Sequence, residues 1–498
     1  MCLLASIVTG IGEASQLTAL VANLIGVIVG ITFGSMPGLT FSTGLILLLP
    51  VTFAFDPITG ISLLVGVFIG GMTGGSVSAI LLGIPGTPSA AATVIDGYPL
   101  KQKGMAGKAL GMAVIASIFA GLVSLLLLIL VAPLIAKVAL QFGSVEIFAL
   151  VLFGLSTIIS VSSGSIIKGL IAGIIGLMAM EIGLDPIMGV HRFTLGYEPL
   201  QAGIDLLAAM IGLFAVPQII KDLPRGHADT GFKIKDQGIA NQLPSWQEIK
   251  NCFGIMVRGA LMGTGIGAIP GTGGPIAAFL SYETNKRMSK YPGKWGTGIL
   301  EGVAAPEAAN NGVTGGALIP MLTLGIPGDP GTAILLGALL IHGLQPGPLL
   351  FQKNADIVYG IFAALFIANI LTLIVQWFGI RLFVKILQVP KTILLPFIMV
   401  LTIVGSFAVR NNLFDVYVMA VFGVIGYFLE RYDFPTTPVI LAIVLGPTLE
   451  TEMRRAIIAE GTYAAFFTHP ISAVFILLTL AMLFGPTIKD KIATRRAT

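Results

Sequence analysis

Apolar residues run through this chain in long blocks separated by short polar or glycine-rich breaks. A membrane-spanning helix needs about 20 mainly apolar residues. Blocks approaching that length lie near 16–34, 40–55, 57–73, 106–136, 144–162, 165–182 and 203–220. A second series lies near 254–269, 272–284, 303–324, 356–380, 392–409, 413–429, 436–449 and 466–485. Several are short or interrupted by Gly and Pro, as re-entrant segments are. Residues 221–250 hold five basic and four acidic residues and form the one long hydrophilic stretch. The pattern predicts an all-α polytopic membrane protein with a first membrane repeat over 1–220 and a second over 251–485. A polar linker joins them, and a basic tail follows at 486–498.

The two series are copies of one another. Gly34-Ser-Met-Pro37-Gly38 matches Gly267-Ala-Ile-Pro270-Gly271, and Gly71-Met-Thr73-Gly74-Gly75 matches Gly312-Val-Thr314-Gly315-Gly316. Further on, Gly83-Ile-Pro85-Gly86-Thr-Pro88 matches Gly325-Ile-Pro327-Gly328-Asp-Pro330, and Gly173-Ile-Ile-Gly176 matches Gly423-Val-Ile-Gly426. One such match is weak in a chain with 63 glycines, but four in the same order are not easily accidental.

Charge gives the copies an orientation, because cytoplasmic loops are enriched in Lys and Arg. The loop after the first Pro-Gly motif has no basic residue in copy one (51–57) but holds Lys286, Arg287, Lys290 and Lys294 in copy two. After the next motif the bias reverses: Lys101, Lys103 and Lys108 stand against Lys353 alone. One element later, Lys137 alone stands against Arg381, Lys385 and Lys391. Corresponding loops are therefore expected on opposite sides, which makes the repeats inverted. The linker and the tail (Lys489, Lys491, Arg495, Arg496) fall in the cytoplasm and the N-terminus outside. Inverted repeats are an architecture of alternating-access transporters.

Composition narrows the class further. Charged residues make up 10% of the chain and hydrophobic ones 55%, with a mean hydropathy of +0.95. A soluble domain carries about 25% charged residues, so most of this surface must face a lipid bilayer. No Lys or Arg precedes Lys101, and a secretory signal needs a positive start; the first apolar run is expected to be retained. Cys2 and Cys252 are too few for a disulfide framework or metal cluster, and His191, His227, His342 and His469 lack ligand spacing. No basic stripe interleaved with aromatics points to nucleic acid.

Candidate chemistry gathers at the paired breaks. Pro37-Gly38-Leu-Thr40 with Pro270-Gly271-Thr272-Gly273-Gly274 form one pair, and the two Gly-Ile-Pro-Gly segments form the other. Proline removes an N–H and glycine permits positive φ, so each break can stop and turn a helix. Transporters bind cargo at such breaks near the midplane; an ordinary kink or loop is the alternative. After each Gly-x-Thr-Gly-Gly comes an apolar run about the length of a half-helix. Gly74, Gly75, Ser76, Gly315 and Gly316 would then expose free N–H groups to a carboxylate, while Thr73 and Thr314 could instead be caps.

The stretch Glu301 to Thr314 has no acidic counterpart in copy one. Asn310, Asn311, Thr314 and Glu307 suit a hard cation such as sodium, and an ionisable group in the bilayer is a functional candidate by default. The alternative is an interfacial helix start with Pro306 in its first turn. Asp96-Gly-Tyr98-Pro99 reads as a cytoplasmic turn, and His342-Gly-Leu-Gln345-Pro346 as the matching outer one. No set of groups converges as in an enzyme: His-Glu-x-x-His, Gly-x-Ser-x-Gly and paired aspartates on adjacent spans are all missing from the sequence. A passive anion channel and, less readily, an intramembrane enzyme are the rival readings.

The strings PGLTFSTGLILLLPVTF (37–53), GGSVSAILLGIPGTPSAAATVIDGYPLKQKG (74–104), IPGTGGPIAAFLSYETNKRMSK (269–290), EGVAAPEAANNGVTGGALIPMLTLGIPG (301–328) and LLGALLIHGLQPGPLLF (335–351) carry a resemblance. They resemble the large membrane subunit of tripartite tricarboxylate transporters, over about residues 20–485. The resemblance implies a permease of the bacterial inner membrane, working with a small integral membrane subunit and an extracytoplasmic solute-binding protein. It also implies import of an organic carboxylate driven by a cation gradient; the oxygen ligands at 310–314 make Na+ the candidate coupling ion, and no cofactor is expected.

Overall fold

The computed structural model describes residues 3–162, 165–222, 243–386 and 391–497. Helices account for almost all of it. The first half holds α1 (Leu3–Ala14), α2 (Leu17–Ser35), α3 (Phe41–Leu48), α4 (Pro57–Leu82), α5 (Ala91–Gln102), α6 (Ala106–Ala139), α7 (Ser144–Ser162) and α8 (Ile166–Met180). A small antiparallel pair, β1 (Gly183–Leu184) and β2 (His191–Arg192), precedes α9 (Glu198–Gln201) and α10 (Leu206–Asp222). The second half holds α11 (Trp246–Gly267), α12 (Gly273–Met288), α13 (Glu301–Leu324), α14 (Pro330–Ile341), α15 (Leu350–Lys353), α16 (Ala355–Ile386) and α17 (Lys391–Arg410). Then come α18 (Leu413–Arg431), α19 (Thr437–Glu460), α20 (Ala465–Thr468) and α21 (Pro470–Ala497). Most of the expected linker, 223–242, lies outside the described residues, as do Cys2 and His227; the tail continues α21 as helix as far as Ala497.

Five helices among the described residues are long and apolar enough to cross a membrane: α2, α4, α6, residues 355–379 of α16, and α18. The chain is a multi-pass membrane protein. It forms two compact units, and each takes chain from both sequence halves. One unit comprises residues 1–136 with 218–405, the other 137–217 with 406–498.

The first unit is built on two fully buried helices, α4 and α13. Each ends on a left-handed glycine, Gly83 (φ 70°) and Gly325 (φ 72°). α4 starts cleanly because Asp56 accepts from the Thr59 N–H and Pro57 opens its first turn. α2 packs on α4 as α11 packs on α13, and the same contacts recur. A Cβ on Gly26, Gly30 or Gly34 would strike the carbonyls of Leu63, Val67 or Gly71. Gly259, Gly263 and Gly267 stand in the same way against Ala305, Ala309 and Val313. Small residues thus let the backbones approach where lipid gives no hydrophobic drive.

These contacts correct the expected register by one residue. Gly70 and Gly74 face the Val27 and Ile31 carbonyls, as Gly312 and Gly316 face those of Ala260 and Thr264. Gly312 therefore corresponds to Gly70 rather than Gly71. What is duplicated is a helix face with glycine four residues apart, not the local string.

α4 and α13 run antiparallel. Leu81 at the end of α4 packs with Val303 at the start of α13. At that end Lys103 Nζ donates to the Gly298 carbonyl (3.2 Å). At the other end of α4, His342 Nε2 lies 3.2 Å from Thr52 Oγ1, and a Cβ on Gly60 would meet both residues. The 26 residues of α4 separate the two groups by about 39 Å.

Within the second unit, α8 of the first half packs on α19 of the second, and α18 of the second on α10 of the first. Gly176 lies against the Val439 carbonyl and Gly426 against that of Leu213. Arg192 pairs with Glu181, Asp185 and Glu450, and Arg454 with Asp185 at 3.0 Å, so the β1–β2 loop is tied to α19. Burial pushes the Asp185 carboxyl up. The N–H groups of Met188 and Ile187, with Arg454 and Arg192, outweigh it and hold the group well below the usual range.

Candidate functional site

The Pro-Gly turns and the Gly-Ile-Pro-Gly segments converge inside the first unit. Residues 36–40 turn the chain between α2 and α3, with Gly38 at φ 91°; residues 268–272 do so between α11 and α12, with Gly271 at φ 82° and Gly273 at φ 61°. The Gly271 N–H donates to the Gly328 carbonyl (2.9 Å). A Cβ on Gly86 would lie 2.2 Å from the Gly34 carbonyl oxygen, and one on Gly273 would lie 3.9 Å from Asp329 Cβ. Pro37, Gly38, Thr40, Pro270, Gly271 and Gly273 therefore sit where all four breaks meet.

The expected half-helices do not exist. α4 runs unbroken through Gly74, Gly75 and Ser76, and α13 through Gly315 and Gly316. Their N–H groups lie inside a helix and offer no free end to an anion, and the Ser76 hydroxyl donates to the Thr73 carbonyl (2.7 Å). Glycine costs a helix about 1 kcal/mol, which close packing offsets here. A Cβ on Gly75 would lie 2.3 Å from Thr87 Oγ1, on Gly315 2.4 Å from the Ser124 carbonyl, and on Gly316 2.3 Å from that of Thr264.

The stretch at 301–314 is not an interfacial helix start either. Pro306 and Glu307 lie well inside α13 and are buried. Glu307 Oε1 accepts from Thr93 Oγ1 (2.5 Å) and Oε2 from Ser117 Oγ (3.2 Å). Among the described residues no basic side chain stands beside this carboxylate. One turn on, Asn311 is fully engaged: Oδ1 accepts from Thr73 Oγ1 (3.0 Å), and Nδ2 donates to Ser117 Oγ (2.8 Å) and the Glu307 carbonyl (3.1 Å). Thr314 Oγ1 donates to the Asn311 carbonyl (2.6 Å). Asn310 Nδ2 donates to the Met72 carbonyl (2.8 Å), whereas its buried Oδ1 has no partner among the described residues.

Asp96 is the residue that sequence reasoning misplaced. It lies inside α5, fully buried, rather than in a turn. It accepts the N–H groups of Gly296, Gly298 (2.7 Å) and Ile299 (3.1 Å) together with Tyr282 OH (2.7 Å). A side chain from the first half thus holds the approach to α13. An Asp-Gly beside Tyr-Pro resembles turn chemistry, and only the tertiary partner reveals the helix.

A family-wide sequence model described as Tripartite tricarboxylate transporter TctA family matches residues 20–441. The chain belongs to that family. It is a membrane component of a tricarboxylate transporter, from a transporter family rather than an enzyme family, and the family implies further membrane and binding-protein subunits. Relatives of this chain occur in Agrobacterium vitis. One, an uncharacterized 52.8 kDa protein in the TAR-I ttuC' 3' region, is 38% identical over 495 residues, covering 99% of this chain and 98% of that protein. Another, an uncharacterized protein in the TAR-II ttuC' 3' region, is 40% identical over 233 residues, covering 46% of this chain and 96% of the relative. No solved structure matches the TctA chain.

Proposed function

We propose that this TctA chain imports an organic carboxylate across the bacterial inner membrane, driven by a cation gradient, with Glu307 as the coupling group. The observation that carries the reading is the Glu307 carboxylate itself. It is buried in the second turn of α13 and, among the described residues, is held by two neutral hydroxyls. A buried charge without a counter-charge is costly, and a passing cation would offset that cost in one state of the cycle. Sodium is the candidate, coordinated by Glu307 with Thr93 and Ser117 as neighbouring oxygens. Asn311 and Thr314 support this centre from behind.

The inverted arrangement of the repeats belongs to the same proposal. Its support is that loops expected outside meet each other (Thr52 with His342), as do loops expected inside (Lys103 with Gly298). With the basic loops taken as cytoplasmic, the proposal has the N-terminus outside and the C-terminus in the cytoplasm. An extracytoplasmic binding protein would deliver the ligand, and a small membrane subunit would complete the assembly.

The test is uptake of labelled carboxylates by vesicles containing all three subunits, with and without an imposed sodium gradient. Accumulation against a carboxylate gradient only when sodium is higher outside supports the reading. Equal flux without any cation gradient would make the chain a passive anion channel.

A further inference from the structure

α12 divides its residues between two faces. Ala277, Ala278, Ser281, Tyr282 and Asn285 are buried. Ser281 Oγ donates to the Ala305 carbonyl (2.8 Å) and Tyr282 OH to Asp96 Oδ2 (2.7 Å), so this face is committed to α13 and α5. The opposite face is an open groove of about 510 Å³ lined by Pro275, Ile276, Phe279, Leu280, Glu283 and Arg287. Its apolar members Ile276, Phe279 and Leu280 are exposed.

The two ends of the groove differ in chemistry. Pro275 stands just past the Pro270-Gly271 turn, whereas Arg287 lies at the basic end with Lys286, Lys290 and Lys294. The helix between Pro275 and Arg287 is about 18 Å long, against about 15 Å for half of a bilayer's hydrocarbon core. The groove is therefore one leaflet deep. It offers apolar surface to an acyl chain and charge where the headgroups lie.

Glu283 and Arg287 are four residues apart, in the order that favours an ion pair along a helix. Glu450 and Arg454 have the same spacing and lie 3.3 Å apart. Glu283 and Arg287 do not pair, and neither side chain has a hydrogen-bond or ion-pair partner among the described residues. Two opposite charges thus stand separate at the headgroup end. A phosphodiester suits Arg287, whose planar guanidinium can take two phosphate oxygens, and an ammonium suits Glu283. An apolar helix of another subunit would satisfy neither charge.

We propose that the α12 groove binds one phospholipid with a primary-amine headgroup, of the phosphatidylethanolamine kind. An acyl chain lies over Ile276, Phe279 and Leu280, the phosphate meets Arg287, and the ammonium donates to Glu283. A choline headgroup has the charges but no N–H to donate, and a glycerol headgroup brings no cation to Glu283. The ligand is a membrane lipid held on the helix that leaves the Pro270-Gly271 turn, not a cargo.

The test is native mass spectrometry of the purified full-length chain, released from nanodiscs holding equal parts of ethanolamine, choline and glycerol phospholipids with identical acyl chains. One ethanolamine lipid should be retained per chain, about tenfold over either of the others, as expected for one charged hydrogen bond. Arg287→Ala should lose retention of all three lipids. Glu283→Gln should bring ethanolamine and choline lipids level while phospholipid is still retained, and Lys353→Ala, outside the groove, should change nothing. Both groove charges are exposed, so every variant should melt as wild type does. Retention without preference for ethanolamine, or a preference that survives Glu283→Gln or Arg287→Ala, overturns the proposal. In vesicles with all three subunits, a benzophenone crosslinker at position 279 should label lipid. An adduct with another subunit would mean that a partner helix fills the groove, and would overturn the proposal equally.

Discussion

Thr93 and Glu307 lie 214 positions apart and share a hydrogen bond of 2.5 Å. It is the middle of three links that join the segment from Ser89 to Asp96 to the chain around α13. Ser89 faces Asn310 across Gly274, Thr93 holds Glu307, and Asp96 holds the backbone at 296–299. Movement of α5 against α13 must therefore disturb the hydrogen bond that holds the Glu307 carboxylate.

The Asp96 link is structural, and its loss should be severe. Asp96→Ala leaves several buried N–H groups and the Tyr282 hydroxyl unsatisfied, at about 1–3 kcal/mol each. Thermal unfolding of the purified chain should show a large fall in Tm, with little protein recovered. A Tm near wild type would mean the segment at 295–300 finds other acceptors.

Glycines along α11 should separate into two kinds. Gly263→Ala places a Cβ 2.0 Å from the Ala309 carbonyl oxygen, so it should abolish the folded protein. Gly254→Ala meets nothing within 4 Å and should stabilise the helix by roughly 0.5–1 kcal/mol. Yield and Tm of the two variants, compared with wild type, check this directly; equal behaviour would contradict the packing of α11 on α13.

In the second unit, His469 Nδ1 sits 2.8 Å from Glu146 Oε1. That hydrogen bond, opposed by desolvation and aided by the charges of Glu146 and Glu460, raises the His469 pKa above its ordinary value. A raised folded pKa contributes stability that is complete below the unfolded value, about 6.5, and is lost as pH rises through the folded value. Wild-type Tm should thus fall from pH 6 to 9 by an increment that His469→Gln lacks. Parallel pH curves for the two proteins would remove this pair as the cause.

Much of the architecture was legible in the sequence because hydrophobic blocks and duplicated breaks survive without side-chain detail. The Pro-Gly turns at 37–38 and 270–271 turn the chain as their residue types require. Gly74–Gly75 and Gly315–Gly316 misled because glycine serves two purposes. It breaks a helix exposed to solvent, yet inside a tight bundle it is what lets a continuous helix lie against a neighbour's carbonyl. The engagement of Asn311 and the open acceptor of Asn310 were equally hidden, since the partners Thr73, Ser117 and Met72 that fix these amides come from the other half of the chain.

Topology can be read by labelling. In a background with Cys2 and Cys252 replaced by Ala, Ala54→Cys should react only with reagent added outside. Gln102→Cys and Lys290→Cys should react only from the cytoplasm. Labelling of positions 54 and 290 from the same side would contradict the inverted repeats.

The central claim is that Glu307 couples carboxylate movement to a cation. The most direct measurement compares wild type and Glu307→Gln in vesicles with all three subunits, recording gradient-driven accumulation and carboxylate exchange separately. The amide keeps the size and can still meet Thr93 and Ser117, but it carries no charge to offset a cation. The account predicts that Glu307→Gln retains exchange and loses accumulation. Full cation-driven accumulation by the Glu307→Gln protein would contradict it.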